Sequence, residues 1–354
     1  MNTFTRYSRQ IQLPGFGYEA QQKLLQARVL VIGAGGLGVP VLQYLTGMGI
    51  GTIGVADGDA VNITNLHRQV LYGEHDVQQS KVSIAIKSLA ELNRQVRFKP
   101  FLENVTRDNI LDLMKDYDVV VDATDNFSTR YLINDACVIL NKPYIYGAVH
   151  QHEGQVSVFN YQDGPSYRCL YPNPPAAGEI PDCNAAGVLG VVPGIIGCQQ
   201  ALQVVKLITG TGKTLSGYLQ IFDFLNDDQY KIKLRAKPEN KQIRQLQESY
   251  EVPVCHTVNP IKPQELYNWY EAGKDFYLMD VREPNEFEEA HLRNARLYPL
   301  SAFNAAAIDL VPDRPVVTFC QKGGRSMQAA RLLQEQYPEP VSYTHLTLPT
   351  ILRV

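Results

Sequence analysis

The chain has 354 residues, of which 45% are hydrophobic and 19% are charged, and its formal net charge is −3 at pH 7. This length is long for one domain and comfortable for two, and the composition is that of a globular protein. The small negative charge gives no reason to expect nucleic acid as a partner. Because residues 1–10 contain no apolar signal-peptide core and the six cysteines are scattered, we expect a cytoplasmic protein without a disulfide framework.

One long apolar stretch, 188–208, has to be weighed as a membrane span. Pro193 and polar side chains such as Gln200 and Lys206 interrupt it. A helix that crosses a bilayer needs about 20 predominantly apolar residues. We therefore predict a buried helix, or one at a subunit interface, and no membrane partner.

Buried strands and helices alternate through the first half of the chain. Short, continuous apolar runs predict strands at 28–32, 52–56, 117–123 and 143–148. Helical patterns begin near residue 39 and span 80–93 and 128–140. Strands that alternate with helices imply crossover connections and a parallel sheet. The sequence therefore predicts an α/β fold with a Rossmann-like domain.

The pattern changes after Gly154. Alternation of apolar and polar residues predicts antiparallel strands at 155–161, 217–224 and 229–234, the last two joined as a hairpin. A loop rich in proline and glycine lies between them at 163–186 and contains Cys169 and Cys183. A loop of this length inside a domain is usually functional.

A polar stretch predicts a linker between two domains. We place the first domain at 1–235, the linker at 236–256 and a smaller α/β domain at 257–340. Apolar runs at 277–281 and 316–320 predict buried strands of that second domain.

A glycine loop follows the first strand and opens a helix. Gly33, Gly35 and Gly38 fit the pattern G-x-G-x-x-G, and Gly36 lies within it. Such a loop turns tightly, lets the backbone approach a phosphate and offers free N–H groups at the helix N-terminus. Asp57 ends the next strand, where its carboxylate can accept hydrogen bonds from ribose hydroxyls. This pattern predicts a nucleotide site.

Charged residues beyond the loop favour a triphosphate. Asn65 and Arg68 lie one helical turn apart, Lys81 follows, and Asp125 comes just after the strand at 117–123. A triphosphate under attack at its α-phosphorus needs cations on the leaving pyrophosphate and a carboxylate for Mg²⁺. The alternative is an NAD-dependent oxidoreductase, which does not require this set.

These motifs, in their order and spacing, resemble the MoeB/ThiF family, the bacterial relatives of ubiquitin-activating enzymes. The resemblance covers about residues 4–234 and rests on RYSRQI, GAGGLG, the strand-end Asp57, NLHRQ, Lys81 and DATDN. It implies a homodimer in which Asp57 holds the ribose of ATP and Asn65, Arg68 and Lys81 contact the phosphates. It further implies that Asp125 associates with Mg²⁺ and that Arg9 reaches the phosphates from the other subunit.

The resemblance also implies the reaction. ATP would adenylate the C-terminal Gly-Gly carboxylate of a ubiquitin-like sulfur-carrier protein of the ThiS or MoaD type. An ionised carboxylate needs no general base, so catalysis is mostly positioning and charge stabilisation. Molybdopterin biosynthesis, thiamine biosynthesis and tRNA thiolation all remain open. A non-catalytic adaptor for ubiquitin-like proteins is a further alternative, and the intact Arg9, Arg68, Lys81 and Asp125 argue against it.

Two cysteine positions bear on zinc. Related enzymes often carry two CxxC pairs that bind Zn²⁺, whereas this chain has Ser166 with Cys169, and Val252 with Cys255, at those places. Two thiolates do not make the usual four-ligand site. The sequence therefore argues against a zinc site. His256 is a weak candidate for an additional ligand.

The loop thiol Cys183 matches the position of a family cysteine that can link covalently to the activated partner. An exposed thiol can react if its thiolate is stabilised. A catalytic or acyl-accepting role and a bystander thiol both remain open.

Cys320 ends the strand at 316–320, and the loop Gln321 to Arg325 leads into a helix. Backbone N–H groups and a helix N-terminus at such a loop stabilise an anionic sulfur. With DVREPNEF at 280–287, this loop resembles a single rhodanese domain over about 257–340, which implies a persulfide on Cys320 and a sulfur donor such as a cysteine desulfurase. A phosphatase usually needs a longer loop between Cys and Arg, and an inactive binding domain is the other alternative.

The end of the chain departs from that resemblance. Residues 341–354 show no last strand and no Gly-Gly segment. This pattern predicts a truncated or foreign tail and an incomplete second domain.

Overall fold

A computed structural model describes residues 4–174, 187–250, 258–305, 308, 314–321, 323–334 and 341–345. These residues form two compact units, one ending at Tyr250 and the other beginning at Val258. The predicted site residues Cys183, Cys255 and His256 lie outside the described residues.

An eight-stranded sheet forms the centre of the first unit within these described ranges, in the order β3-β2-β1-β4-β5-β6-β7-β8. Its strands are β1 (Arg28–Ile32), β2 (Thr52–Ala56), β3 (Arg97–Phe101), β4 (Val119–Asp122), β5 (Tyr144–His150), β6 (Glu153–Phe159), β7 (Tyr218–Asp223) and β8 (Asp228–Lys233). Strands β1 to β5 pair in parallel, and β5 to β8 pair antiparallel. The predicted α/β fold, a mostly parallel sheet with an antiparallel extension, is confirmed.

The central strands are buried on both faces. In β1, Val29 and Val31 join one apolar cluster, while Leu30 and Ile32 join another. Successive side chains of a strand point to opposite faces, so a strand covered on both sides reads as a continuous apolar run. Strand β3 lies at the sheet edge and mixes Arg, Lys and Pro with two Phe, which is why the sequence pattern did not predict it.

Helices cover both faces of this sheet. They are α1 (Ser8–Ile11), α2 (Gly17–Gln26), α3 (Gly38–Met48), α4 (Lys81–Leu92), α5 (Ile110–Met114), α6 (Phe127–Ile139), α7 (Tyr167–Leu170) and α8 (Val191–Thr209). The one-turn helix α7 lies inside the stretch that the sequence predicted as a loop.

Helix α8 is long and apolar enough to cross a membrane by length and composition alone. It packs against α3, β5 and β6 instead. Its buried Gln200 donates to the Asp122 carbonyl oxygen at 2.6 Å, and Gly147 leaves the space that this amide occupies. A buried polar side chain needs such a partner. Gln200, one of the polar residues that interrupt the apolar stretch, thus attaches the helix to the sheet.

The structure differs from the prediction that 236–256 is a linker. Its residues up to Tyr250 belong to the first unit, and Leu246 and Tyr250 pack against the apolar cluster on one face of the sheet. The Tyr250 hydroxyl donates to Asp135 Oδ2 at 2.7 Å, and the Asn240 amide donates to the Arg168 carbonyl oxygen at 2.8 Å. These partners are far apart in the chain, so a local pattern cannot reveal them.

The second unit holds a five-stranded parallel sheet in its described part, in the order β11-β10-β12-β13-β9. Its strands are β9 (Asn259–Pro260), β10 (Tyr277–Asp280), β11 (Arg296–Leu297), β12 (Val316–Cys320) and β13 (Val341–His345). Its helices are α9 (Pro263–Glu271), α10 (Pro284–Glu289) and α11 (Gly324–Gln334).

Strand β13 corrects the expectation that no last strand follows the active-loop helix. It pairs in parallel with β12 on one side and β9 on the other, and its Val341 and Thr344 are buried. Five residues of mixed polarity are too few to predict a strand by pattern alone, and the neighbouring strands supply the pairing. Residues 346–354 of the predicted tail lie outside the described residues.

A buried ion pair in the first unit generates a stability prediction. Arg168 Nε and Nη2 donate to the two oxygens of Asp135 at 2.7 and 2.8 Å, and both side chains are buried. Arg168→Met leaves the Asp135 charge uncompensated, so we expect the free energy of unfolding to fall by about 3–5 kcal/mol.

Urea unfolding monitored by far-UV circular dichroism measures this loss of stability. Arg168→Met with Asp135→Asn removes the stranded charge and should recover part of it. Equal destabilisation of the single and double variants would contradict the ion-pair explanation.

Candidate active sites

A cavity of about 600 Å³ opens at the carboxyl ends of the parallel strands β1, β2 and β4. It brings together eight predicted residues from separate parts of the chain. Seven of these are Gly33, Gly35, Gly36, Asp57, Asn65, Lys81 and Asp125, and Arg68 is an eighth. The volume is typical of a small-molecule site, and strand carboxyl ends are where open α/β sheets bind ligands.

The glycine loop packs too closely for side chains at two positions. Gly33 has φ of +100°, and a Cβ there would lie 2.5 Å from the Ala123 carbonyl oxygen. A Cβ at Gly38 would lie 1.9 Å from the Gly33 carbonyl oxygen. Gly38 begins α3, so the tight turn delivers the loop directly to a helix N-terminus. Free N–H groups there suit a phosphate.

Both backbone polar groups of Ala34, in the glycine loop, are hydrogen-bonded. Its N–H donates to Asp57 Oδ2 at 2.7 Å, and its carbonyl oxygen accepts from the buried Tyr72 hydroxyl at 2.8 Å. The Asp59 N–H donates to Asp57 Oδ1 at 2.8 Å. Each carboxylate oxygen can accept another hydrogen bond, so Asp57 can still receive ribose hydroxyls. Burial raises the pKa of Asp57, and the nearby Lys81 charge opposes that rise.

The predicted cations approach the cavity from one side. Lys81 begins α4, is buried, and its Nζ donates to Asp59 Oδ2 at 2.7 Å. Arg68 is held by its own turn, because Nη1 donates to the Thr64 carbonyl oxygen at 2.9 Å. Asn65 closes the turn with its side-chain oxygen, which accepts from the Asn62 N–H at 3.2 Å.

Asp125 is exposed and follows a rigid turn after β4. The buried Asp122 accepts from the Thr124 N–H at 3.1 Å and from its hydroxyl at 2.6 Å. Arg130 Nη2 donates to the Thr124 carbonyl oxygen at 3.1 Å. The N–H, the hydroxyl and the carbonyl oxygen of Thr124 are therefore all hydrogen-bonded. This turn fixes the position of the next residue, Asp125.

Sequence reasoning missed the residues that hold the site in shape. Tyr72, Asp59 and Asn104 come from three separate loops, and none belongs to a chemistry-bearing motif. Asn104 accepts from the Gly58 N–H at 3.1 Å, next to Asp57. Only Asp59, two residues beyond the strand-end Asp57, carried a local signal.

Charge in the cavity fits a metal-bound triphosphate. Among the described residues, the cavity lining has three carboxylates, on Asp57, Asp59 and Asp125, two cations, on Arg68 and Lys81, and the imidazole of His150. A bare triphosphate would be poorly compensated there, whereas a divalent ion beside Asp125 would redress the balance. Mg²⁺ is usually bound by one or two carboxylates together with substrate phosphates, so the exposed Asp125 carboxylate fits this role.

Arg9 lies elsewhere. It is exposed on α1 and is not among the described residues that line the cavity of its own chain. Its predicted role from a second subunit stays a prediction, and so does that of Cys183, which lies outside the described residues.

Cys169 occupies the first predicted zinc position. It is buried, and its sulfur accepts from the N–H groups of Ser166 at 3.4 Å and Lys237 at 3.3 Å. Backbone N–H groups thus donate to this thiol. The sequence had instead matched Cys169 and Cys255 to the two cysteine pairs of a zinc site. No group of three metal-binding side chains occurs among the described residues. The expectation against zinc stays a prediction, because Cys255 and His256 are not described.

The second unit carries a buried thiol in the predicted loop. Cys320 ends β12, and its sulfur accepts from the N–H groups of Gly323 at 3.1 Å and Ser326 at 3.4 Å. The Ser326 hydroxyl lies 3.4 Å from the same sulfur. Helix α11 begins at Gly324, so the sulfur also lies beside a helix N-terminus. This arrangement stabilises an anionic sulfur.

Arg325 in the same loop pairs with Glu286 of α10. Nη1 and Nη2 donate to the two carboxylate oxygens at 2.5 and 2.8 Å. Hydrogen bonding from Arg325, together with the Glu283 N–H, lowers the pKa of Glu286 to about 2. Sequence reasoning placed both residues in motifs but did not pair them.

The chain belongs to the ThiF family, whose model matches residues 7–244. A rhodanese-like domain model matches residues 262–345. The resemblance seen in the sequence is thereby confirmed for both parts of the chain.

Two relatives illustrate these matches. The "Probable adenylyltransferase/sulfurtransferase MoeZ" of Mycobacterium tuberculosis is 41% identical over 341 residues, covering 92% of this chain and 86% of the relative. The "Sulfur carrier protein adenylyltransferase" of Thermus thermophilus is 48% identical over 238 residues, covering 66% of this chain and 88% of the relative.

Solved structures share the fold. The crystal structure of E. coli MccB with ATP has a TM-score of 0.59 at 23% sequence identity, covering 66% of this chain and 72% of that one. At this identity the likeness shows a common architecture.

The glycine loop generates a binding prediction. Gly38→Ala should abolish detectable ATP binding by calorimetry, because the new Cβ would meet the Gly33 carbonyl oxygen and push the loop open. Gly47→Ala, in the same helix with open space around its Cβ position, is the matched control and should bind normally. Equal affinity of the two variants would contradict a closely packed phosphate loop.

The pair of Glu286 and Arg325 generates a pH prediction. The pKa of Glu286 falls from its ordinary 4.5 to about 2, so the stability from this pair is present above pH 4.5 and is lost as the pH falls towards 2. The difference in melting temperature between the natural chain and Glu286→Gln should stay constant from about pH 8 to 5.5 and shrink below 4.5. Glu288→Gln, in the same helix, is the control. A difference that vanishes by pH 5.5 would contradict the assignment.

Proposed function

We propose that this chain adenylates the C-terminal glycine carboxylate of a ubiquitin-like sulfur-carrier protein with ATP and then supplies sulfur through its rhodanese-like unit. One observation carries the first half: the cavity joins the glycine loop, Arg68, Lys81 and Asp125 at one edge of the sheet. The names of the two relatives, one an adenylyltransferase/sulfurtransferase and the other a sulfur carrier protein adenylyltransferase, support both halves.

Each cavity residue has a part in the proposed adenylation. Asp57 accepts hydrogen bonds from the ribose, and the N–H groups of the glycine loop face the phosphates. Asn65, Arg68 and Lys81 hold the departing pyrophosphate, and Lys81 exchanges Asp59 for a phosphate oxygen. The carrier's carboxylate oxygen forms a bond to the α-phosphorus while the bond to the bridging oxygen breaks and pyrophosphate leaves with that electron pair. These cations lower the barrier by stabilising charge on the leaving group.

Mg²⁺ would be held by Asp125 and the phosphates, where it would neutralise phosphate charge. The surplus of carboxylates in the cavity of one chain supports a further cation. We propose that Arg9 of a second subunit supplies it, in a homodimer.

The geometry around Cys320 supports the proposed sulfur transfer. Its thiolate attacks the terminal sulfur of a persulfide donor, such as that of a cysteine desulfurase. A new S–S bond forms on Cys320, and the donor's S–S bond breaks and leaves a thiolate. The N–H groups of Gly323 and Ser326 then stabilise the charged sulfur. The outer sulfur of the Cys320 persulfide then attacks the acyl carbon of the carrier's adenylate, and AMP leaves with the electron pair of the broken acyl–oxygen bond. A thiol reductant attacks the Cys320 sulfur of the resulting acyl disulfide, so the carrier leaves as a thiocarboxylate and Cys320 stays in a disulfide with that thiol. A reducing compartment suits such thiol chemistry, which supports a cytoplasmic location.

ATP–pyrophosphate exchange tests the adenylation half. With ThiS- and MoaD-like carriers ending in Gly-Gly, Asp125→Asn should lower the exchange rate about 10²–10³-fold, because it removes charge-stabilising contacts. Asp163→Asn, an exposed carboxylate outside the cavity, is the control. Absence of exchange with every Gly-Gly carrier would rule out the proposed reaction.

Cys320→Ala separates the two halves. We expect exchange to continue while thiocarboxylate formation, followed by the mass of the carrier, is lost. Cys198→Ala, a partly buried thiol of α8, should leave both unchanged. Thiocarboxylate formation by the Cys320 variant would contradict the proposed sulfur route.

A further inference from the structure

The guanidinium of Arg325, in the loop that follows Cys320, is paired with a carboxylate of the protein. Arg325 lies in the chain between Gly323 and Ser326, whose N–H groups donate to the Cys320 sulfur. Both of its terminal nitrogens donate to Glu286, with side-chain exposures of 34% for the arginine and 26% for the glutamate. A planar guanidinium that meets a carboxylate through two parallel hydrogen bonds is the strong form of this contact. The charge that would attract an anion is therefore compensated by the protein itself.

Other charges on this side of the loop do not restore a positive field. Glu283 lies near Arg325, and its Oε2 accepts from the Ser301 hydroxyl at 2.8 Å. Arg282 is buried against Asp280, with Nη2 to Oδ2 at 2.6 Å. Among the described residues around the sulfur, the carboxylates of Glu283 and Glu286 thus outnumber the open cations. The described charges near Arg325 therefore do not favour a free dianion.

We propose that Glu286 determines which sulfur donors this loop accepts: by neutralising Arg325 it disfavours small dianionic donors of the thiosulfate class and leaves the loop to persulfide donors. The inference rests on the proposed sulfur transfer and adds a selectivity to it. A persulfide brings one negative charge, and its carrier supplies binding contacts of its own. Thiosulfate brings two charges on a small molecule and depends on the loop for its binding.

Both donors undergo the same balanced step. The Cys320 thiolate forms a bond to the outer sulfur of the donor, and the donor's S–S bond breaks. A persulfide then leaves as a thiolate, and thiosulfate leaves as sulfite, each with the electron pair of the broken bond. Because the chemistry is common, a difference between the donors reports on recognition.

Steady-state transfer to cyanide compares the two donors. The probes are thiosulfate and the persulfide of N-acetylcysteamine, whose single charge lies on sulfur, and the variants are made in the full chain. Glu286→Gln keeps an oxygen acceptor for the Glu283 N–H but removes the charge. We expect KM for thiosulfate to fall about tenfold at low salt, with kcat and the parameters for the persulfide within about twofold. Glu288→Gln, an exposed glutamate of the same helix, is the matched control and should change neither donor.

Two further variants identify the cation. Arg325→Met added to Glu286→Gln should abolish the gain with thiosulfate, because no guanidinium is then released. Lys322→Ala added to Glu286→Gln should keep most of it; Lys322 is a loop residue outside the described ones. A gain that disappears with Lys322 rather than Arg325 would overturn the proposal, and so would an unchanged thiosulfate KM in Glu286→Gln.

A binding measurement keeps this inference separate from the proposed function. In Cys320→Ser, which cannot accept sulfur, the Glu286→Gln change should still tighten thiosulfate binding about tenfold by calorimetry. If the natural chain transfers sulfur from neither donor, the proposed sulfur transfer fails, while this affinity ratio still decides the role of Glu286. Equal affinities with and without the Glu286 charge would refute the selectivity.

Discussion

The candidate nucleotide site depends on the parallel arrangement of three strands. Because β1, β2 and β4 run in the same direction, their carboxyl ends meet at one edge, where the glycine loop, Asp57 and Asp125 emerge. The hydrogen bond from the Ala34 N–H to Asp57 then ties the loop after β1 to the end of β2. The packing of Gly33 against Ala123 ties the same loop to the end of β4. These two connections hold the ends of the three strands together and give the cavity its shape.

The same design appears in the second unit at smaller scale. Cys320 also leaves the carboxyl end of a parallel strand and meets a loop that opens a helix. In both units, backbone N–H groups donate to a side chain at the end of a strand: to Asp57 in the first and to the Cys320 sulfur in the second. The side chains differ: Lys81 pairs with the exposed Asp59 through one hydrogen bond, whereas Arg325 is held by both oxygens of Glu286. The proposed functions follow this difference, with an anionic ligand in the first unit and an anionic sulfur on Cys320 in the second.

Buried polar contacts decide where the first unit ends. Asp135, Arg168 and Tyr250 join α6, α7 and the segment after β8, and the Cys169 thiol accepts a hydrogen bond from Lys237 in that segment. A region that reads as a polar linker is thus part of the folded unit. Its stability comes from hydrogen bonds and from two apolar side chains rather than from regular secondary structure.

The sequence by itself determined the fold class, the central strands and the identity of both loops, because buried strands and glycine turns leave strong local patterns. Strands 28–32, 52–56 and 316–320 were predicted to the residue. Only the tertiary structure decided the pairing of Glu286 with Arg325 and the hydrogen bond from Tyr72 to the Ala34 carbonyl oxygen. The same is true of the hydrogen-bond partners of Cys169 and of the strand Val341–His345. These features join residues that are distant in the chain, and their energy depends on geometry that no local pattern encodes.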